Sequence, residues 1–256
     1  PSDVSKKVLV VGGGIAGMEA ARVAAIRGHR VKLYDKASQL GGVLVAAAVP
    51  EIKDEDRRYI QWYRNQMKKE GVEVHLNTEV TLDMLKNCDA DEIVISTGAT
   101  PKIPPIPGVK GDNVITAVDA LLHPEKLGDK VAVIGGGQVG CEVALWAVQD
   151  LGKEATIIEA MPAILSASPT PLPLTTTLML PDLIRFHGVG TKCNARVQSI
   201  EETGVNITVN DIAETVECDT VIMATGYRSN DSLYREAVQE LDKNVWRIGD
   251  ASQFSN

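Results

Sequence analysis

The chain of 256 residues carries 34 acidic and 26 basic side chains, a formal net charge of −8 at pH 7, and its composition is 44% hydrophobic but only 4% aromatic. It can build sizeable cores and has room for two modest domains, while the acidic balance and low aromatic content argue against a nucleic-acid partner. No apolar run approaches the roughly 18 residues of a membrane span, and residues 1–7 form no apolar signal segment, so we expect no membrane partner and a cytoplasmic location.

The cysteines and histidines carry no motif of their own. The four cysteines form no C-x-x-C pair, which disfavours a redox disulfide and a thiolate cluster, and the four histidines show no metal-ligand spacing. No Ser/His/Asp or Cys/His arrangement is recognisable. We therefore expect no metal site and no catalytic side chain in this chain.

The first predicted elements form a dinucleotide-binding pattern. Strand 8–11 runs into Gly12-Gly13-Gly14-Ile15-Ala16-Gly17, a helix of small residues closes at Gly28, and strand 30–34 ends at Asp35, 18 residues after Gly17. In a G-x-G-x-x-G turn the first glycine makes the tight bend, the second admits a diphosphate to bare backbone, and the third lets helix and strand pack closely. A purely structural turn is the alternative, which the flanking strand, helix and acid disfavour.

The rest of the first half continues as an α/β layer. The paired glycines Gly41 and Gly42 predict either a second close approach of backbone to ligand or an ordinary turn. We expect a helix over 54–70, a strand over 72–76 followed by 79–81, and a buried strand over 92–96. The proline-rich stretch 100–108 predicts a linker, because it suits neither a helix nor a central strand.

The second half repeats this plan. Strand 131–134 enters Gly135-Gly136-Gly137-Gln138-Val139-Gly140, a helix closes at Gly152, and strand 155–158 ends at Glu159, 19 residues after Gly140. A loop over 161–173, a helix over 174–186 and strands over 195–201, 205–210 and 219–224 follow. Each half ends in a strand and Thr-Gly, Thr97-Gly98 and Thr225-Gly226, where we expect the chain to cross between domains.

These elements predict an α/β fold of two Rossmann-like dinucleotide-binding domains, the second inserted into the first. The first domain is predicted over 1–107 and 226–256, and the second over 108–225. The last strand, 244–248, ends in Gly249-Asp250 with no covering helix after it, and the chain begins without Met. We interpret the sequence as a piece of a longer polypeptide.

Taken together, the motifs resemble the two-dinucleotide-binding-domain flavoproteins over nearly the whole chain. They are the two glycine turns, Asp35, Gly41-Gly42, Ser96-Thr97-Gly98 with Pro101, Pro104 and Pro107-Gly108, Ala224-Thr225-Gly226 and Gly249-Asp250. The runs from Leu40 to Pro50, Trp62-Tyr63-Arg64 and Gly71-Val72 are most similar to the pyridine-nucleotide half of the iron-sulfur flavoenzymes typified by 2,4-dienoyl-CoA reductase, trimethylamine dehydrogenase and 2-enoate reductase. There, an N-terminal (β/α)8 barrel related to old yellow enzyme carries FMN, a [4Fe-4S] cluster and the substrate site, and the present sequence contains none of it.

The resemblance implies an FAD site in the first domain and an NAD site in the second. For FAD it implies Gly12, Gly14, Ala16 and Gly17 at the diphosphate, Asp35 on the ribose, Gly42 and Gly98 along the cofactor, the Val80 backbone at the adenine, and Asp250 at the ribityl or phosphate portion. For NAD it implies Gly135, Gly137, Gln138 and Gly140 at the diphosphate, Glu159 on the ribose and Glu142 at the nicotinamide carboxamide. Glu142 has an alternative reading, as an acid favoured in the first helical turn by the helix dipole.

The implied function is hydride transfer from NADH to FAD, as the electron-transfer portion of an NADH:flavin oxidoreductase. NADH is favoured over NADPH, because Asp35 and Glu159 repel a 2′-phosphate and no Arg follows Glu159. In the intact enzyme the electrons would continue through the iron-sulfur cluster and FMN of the barrel to an enoate or dienoyl substrate, and a homo-oligomer would form through that barrel. Two alternatives stay open: a stand-alone reductase of the ferredoxin type, and a non-catalytic ADP-binding module as in trimethylamine dehydrogenase.

Overall fold

The computed structural model describes residues 2–166 and 172–253. It divides into two compact units, the first containing 2–48, 52–100 and 228–253, and the second containing 49–51 and the described residues from 101 to 227. The second unit is therefore an insertion in the first. The predicted 161–173 loop lies partly outside the described residues.

The first unit is built on a parallel sheet. Its strands are β1 (Lys7–Val11), β2 (Arg30–Tyr34), β3 (Glu73–His75), β4 (Glu92–Ile95) and β15 (Asn244–Arg247), and its helices are α1 (Ile15–Ile26), α2 (Leu44–Ala47), α3 (Asp54–Lys69), α4 (Leu82–Asn87) and α8 (Ser232–Glu240). The strand order is β15-β4-β1-β2-β3, and every neighbouring pair is parallel. The chain leaves this unit through β5 (Ala99–Pro101) and returns through β14 (Tyr227–Ser229), and these two short strands pair with each other.

Both faces of the sheet are covered at its central strand, as the almost uninterrupted apolar run of β1 requires. Val8 and Val10 of β1 point to one face, where they pack with α1 and α3 through residues such as Met18 and Met67. The alternate residues Leu9 and Val11 pack on the opposite face with α4 and α8. Helices on both faces leave the carboxyl ends of the strands as the edge at which ligands bind in such folds.

The second unit contains a matching parallel sheet and an antiparallel one. Its strands are β6 (Val114–Thr116), β7 (Lys130–Ile134), β8 (Glu154–Ile158), β9 (Gly190–Lys192), β10 (Ala195–Glu201), β11 (Gly204–Val209), β12 (Ile212–Glu217) and β13 (Thr220–Met223), and its helices are α5 (Ala117–Leu122), α6 (Gln138–Gln149) and α7 (Leu174–Phe186). The parallel sheet has the order β6-β13-β7-β8-β9, and β10-β11-β12 form the antiparallel meander. Ile200, Val205 and Ile207 of the meander pack on Ile134 and Met223 of the parallel sheet.

The predicted α/β class with two Rossmann-like units is confirmed, and several short elements are additions to it. Residues 79–81 do not form a strand; Thr81 instead caps α4, its hydroxyl accepting a hydrogen bond from the Met84 N–H. The unpredicted elements are helices α2, α4, α5 and α8 and strands β5, β6, β9, β12 and β14. Among the described residues, no helix has both the length and the hydrophobicity needed to cross a membrane.

Two candidate dinucleotide-binding sites

The first position of each turn must be glycine because of its backbone conformation and its close contact with a neighbouring strand. Gly12 and Gly135 follow β1 and β7 and adopt φ values of +104° and +110°, which residues with a side chain rarely take. A Cβ at either position would lie 2.3 Å from a carbonyl oxygen, that of Ser96 or of Ala224. The neighbouring strand therefore comes so close that only glycine fits.

The third glycine of each turn is also required by packing. A Cβ on Gly17 would lie 1.9 Å from the Gly12 carbonyl oxygen, and a Cβ on Gly140 would lie 1.9 Å from that of Gly135. Each helix thus starts in direct contact with the turn that precedes it. This is the close helix-strand packing that the motif predicts.

No contact within the protein requires a glycine at the second position of each turn. Gly14 and Gly137 are the N-cap residues of α1 and α6, with an ordinary φ of −71° at both. A Cβ on Gly14 would come no closer than 3.9 Å to another protein atom, the Cα of Gly42, and a Cβ on Gly137 would meet no described atom within 4 Å. The space beside these two glycines is open.

That open space fits a diphosphate. Neither Gly14 nor Gly137 has a side chain that could cap its helix, so the first-turn N–H groups of α1 and α6 are left to an external acceptor. A helix N-terminus with bare backbone attracts phosphate through these N–H groups and the positive end of the helix dipole. A Cβ at either position would occupy the volume that a phosphate needs, so both sites fit a dinucleotide.

The two predicted ribose acids are bound to their glycine turns. One oxygen of Asp35 accepts from the Gly13 N–H at 2.5 Å and the other from the Ala37 N–H at 2.7 Å. Glu159, which is buried, makes the same pair with the N–H groups of Gly136 at 2.5 Å and Met161 at 2.8 Å. The spacing of the two acids alone does not reveal this bracing role. A carboxylate oxygen has further lone pairs, so these bonds leave room for a ribose hydroxyl.

The remaining residues proposed for FAD differ in how closely they approach the first glycine turn and α1. We call each glycine turn, together with the helix N-terminus that follows it, a cup: residues 12–17 form the first cup and residues 135–140 the second. Gly42 lies against the first cup, since a Cβ on it would lie 2.9 Å from the Gly14 Cα. Gly249, which precedes Asp250, is close to α1, because its Cβ would lie 2.7 Å from that of Ala16. Gly98 follows β4 with φ +70°, and Val80 is buried between β3 and α4. The assignment of these residues to FAD stays a prediction, as it does for Gly12, Gly14, Ala16, Gly17 and Asp35.

In the second unit, Gln138 and Glu142 form a pair on α6. The Gln138 Nε2 donates to the Glu142 carboxylate at 2.8 Å. Glu142 is the fifth residue of α6, and the first turn of this helix holds no acid. The alternative reading of Glu142 as a first-turn acid placed by the helix dipole is therefore wrong.

All four cysteines are free, and two of them, Cys141 and Cys218, are buried in the second unit. Cys141 follows the glycine turn and donates to the Gly136 carbonyl at 3.4 Å; burial, with Glu159 and Glu142 nearby, raises the pKa of its thiol to about 12. Burial also raises the pKa of Cys218 to about 11. Such thiols are inert at neutral pH, so neither is placed to act as a redox nucleophile.

These features define a class. Two α/β units each present a diphosphate cup at the start of the helix after their first long parallel strand, which is the construction of an oxidoreductase that binds two dinucleotides. The family model described as "Pyridine nucleotide-disulphide oxidoreductase" matches residues 6–252. The chain belongs to this family. It corresponds to the portion of a flavin oxidoreductase that binds FAD and NAD(H) and transfers electrons.

Individual relatives agree with the narrower resemblance. The chain is 42% identical over 251 residues to cinnamate reductase of Clostridium sporogenes, covering 98% of the present chain and 37% of that protein. It is 34% identical over 254 residues to bilirubin reductase of Mediterraneibacter gnavus, covering 99% and 38%. A solved complex of 2-naphthoyl-CoA reductase with 2-naphthoyl-CoA superposes with a TM-score of 0.92 at 32% identity, covering all of the chain and 38% of that structure.

The similarity confirms the predicted group, the flavoproteins of 2-enoate reductase and trimethylamine dehydrogenase. The chain spans less than two fifths of the length of the relatives just described.

Proposed function

We propose that the first unit holds FAD, that the second holds NADH, and that the chain passes hydride from NADH to FAD. The observation that carries this proposal is the pair of glycines, Gly14 and Gly137, whose lack of a side chain no packing contact explains. Two separate cups support two dinucleotides, one resident and one exchanged in each turnover. Cofactors of these types supply the redox chemistry, and the protein supplies binding, orientation and exclusion of water.

The assignment of FAD to the first unit is supported by the loop that closes on its cup. Gly41 and Gly42 lie against Gly13 and Gly14, which adds a second wall of bare backbone beside the phosphate position. In this proposal Gly12, Gly14, Ala16 and Gly17 surround the diphosphate and Asp35 binds the adenosine ribose. Val80 contacts the adenine, and Asp250, after the last strand, contacts the ribityl or phosphate portion.

The second unit supports NADH in preference to NADPH. The Glu159 carboxylate is held beside the cup by two backbone N–H groups and is buried, so its negative charge is fixed where a ribose 2′ substituent would lie. It would accept from a 2′-hydroxyl and repel a 2′-phosphate. Gln138 and Glu142, joined to each other on α6, are then the polar side chains proposed for the diphosphate and the nicotinamide carboxamide.

The names of the relatives suggest the wider reaction. Cinnamate reductase and 2-naphthoyl-CoA reductase act on unsaturated, conjugated acids or thioesters, as their names state. We infer that the part of the protein beyond this chain is an N-terminal barrel with FMN and a [4Fe-4S] cluster, which takes electrons from FAD and reduces an enoate or enoyl-CoA double bond. A homo-oligomer and a cytoplasmic location stay predictions.

Anaerobic addition of NADH to the FAD-reconstituted chain tests the proposal. We expect the visible absorption of the oxidised flavin to bleach, with NADH much more effective than NADPH at equal concentration. A flavin that is bound yet stays oxidised would contradict the redox function and favour the ADP-binding module. Failure to bind FAD, together with tight binding of ADP, would also favour that module.

A further inference from the structure

The loop that closes the first cup is tied down on its cup side. The Gly41 N–H donates to the Gly13 carbonyl at 2.9 Å, and Gly41 forms a parallel bridge with Gly14. Gly42 lies so close to Gly14 that a Cβ would come within 2.9 Å of the Gly14 Cα. The position of this loop therefore sets the width of the cup at the phosphate position.

The opposite side of the loop, at Leu40, is held by Arg64 of α3. Arg64 donates from Nε at 3.0 Å and from Nη2 at 2.6 Å to the carbonyl of Leu40, the residue before Gly41. The same Nη2 donates to the Gln39 side-chain oxygen at 2.8 Å. A planar guanidinium can make this forked grip on one carbonyl, whereas an ammonium cannot.

A second arginine holds the far end of the same segment. Arg57, two helical turns before Arg64 on α3, donates from Nη1 to the carbonyl of Ala48 at 2.6 Å. Between these two points α3 packs on the loop, since a Cβ on Gly41 would lie 3.2 Å from the Ile60 side chain of this helix. Helix α3 thus holds residues 39–48 against the first cup through these contacts.

In the second unit the corresponding loop makes the same first contact, and its described residues show no arginine clamp of this kind. The Leu165 N–H donates to the Gly136 carbonyl at 2.7 Å, as Gly41 does to Gly13. No described atom, however, lies within 4 Å of a Cβ on Gly137, and no arginine donates to the carbonyl of Ile164 or Leu165 among the hydrogen bonds of the described residues. Among the described residues, the arginine grip on the loop is thus a feature of the first cup.

We propose that Arg64 is a positioning residue that makes the first cup a slow-exchanging site, so that its dinucleotide is resident while that of the second unit exchanges. The proposal rests on the assignment of FAD to the first unit. Arg64 acts through the Leu40 carbonyl and the Gly41-Gly42 backbone, without touching the cofactor itself. The loss of its charge-assisted hydrogen bonds would free the loop and widen the cup.

The test measures FAD release from the reconstituted chain carrying Arg64→Gln, Arg64→Lys or a control, Arg58→Gln. Arg58 is an exposed residue of the same helix that pairs only with Asp54 and Glu55 in the described contacts, so its removal changes the charge equally. The proposal expects FAD to dissociate about 10-fold faster or more with Arg64→Gln, an intermediate rate with Arg64→Lys, and no change with Arg58→Gln. NADH affinity should stay at the wild-type value, and the unfolding midpoint of the apo chain should fall only slightly, because the Leu40 carbonyl loses its partner.

An FAD release rate of Arg64→Gln within twofold of wild type would overturn the clamp. So would equal losses of FAD affinity, NADH affinity and apo stability, because these would mean a general loss of structure. Both results are distinct from failure of the proposed function, in which the wild-type chain itself binds no FAD or leaves bound FAD oxidised with NADH.

Discussion

The Glu159 carboxylate and the backbone N–H of Gly136 are joined by a 2.5 Å hydrogen bond, which ties the end of β8 to the glycine turn after β7. The second carboxylate oxygen accepts from Met161, so one buried acid orders the turn and the start of the following loop. Asp35 makes the corresponding bond to Gly13 in the first unit. The acid of this motif therefore shapes the cup before any ribose arrives.

Glu159→Gln should destabilise the second unit. An amide offers one accepting oxygen where the carboxylate offers two, so one buried N–H loses its partner at a cost of about 1–3 kcal/mol. Urea unfolding of the apo chain measures this, and an NADH titration should show weakened binding as well. The control is Glu154→Gln, on an exposed residue at the beginning of the same strand. Unchanged stability in Glu159→Gln would show that the carboxylate does not brace the turn.

Ser96→Ala should be tolerated, because the second unit already contains the alanine version. The Ser96 hydroxyl is within 2.9 Å of the Val11 carbonyl and 3.0 Å of the Gly12 carbonyl. Ala224 occupies the matching place after β13, since its N–H donates to Ile134 as that of Ser96 donates to Val11, both at 2.8 Å. We expect a loss of about 1 kcal/mol in unfolding free energy with FAD binding retained. Loss of FAD binding would contradict this equivalence.

Stability should fall at alkaline pH because of the buried thiols. The pKa values of Cys141 and Cys218 are raised by burial from 9.0 to about 12 and about 11. Above pH 9 the unfolded chain loses these protons while the folded chain keeps them, so the unfolding free energy decreases as pH rises from 9 toward 12. Cys141→Ala should flatten part of this decline, measured by urea unfolding at several pH values. An equally steep decline in the variant would exclude Cys141 as its source.

Long, strongly patterned elements were predictable from sequence, and short ones were not. The helices predicted over 54–70 and 174–186 are observed as Asp54–Lys69 and Leu174–Phe186. Helix α8 has only nine residues, too few for its apolar positions to indicate a helix in the sequence. These positions stabilise the helix by packing on β4 and β15. Strand β12 was missed although Asn210 and Asp211, both at positive φ, mark the tight turn that leads into it.

The site was predictable as far as backbone geometry decides it. Glycine spacing indicates a cup, because a tight turn, an open position and a close packing contact each exclude a side chain for a local reason. The bracing bonds of Asp35 and Glu159 depend on where the second strand ends relative to the turn, which the spacing of an acid alone does not reveal. The role of Arg64 was not predictable from sequence, since its partner Leu40 is 24 residues away.

The most direct measurement is the NADH affinity and apo stability of Gly137→Ala beside Gly140→Ala. A Cβ at position 137 meets no described protein atom within 4 Å, whereas a Cβ at position 140 would lie 1.9 Å from the Gly135 carbonyl oxygen. We predict that Gly137→Ala changes the apo stability by no more than about 1 kcal/mol, because the open space and the small N-cap penalty of alanine leave little to lose, yet binds NADH about 10-fold more weakly or worse. Gly140→Ala should lose about 3 kcal/mol of unfolding free energy without any ligand. Wild-type NADH affinity in Gly137→Ala would contradict the assignment of this open position to a diphosphate.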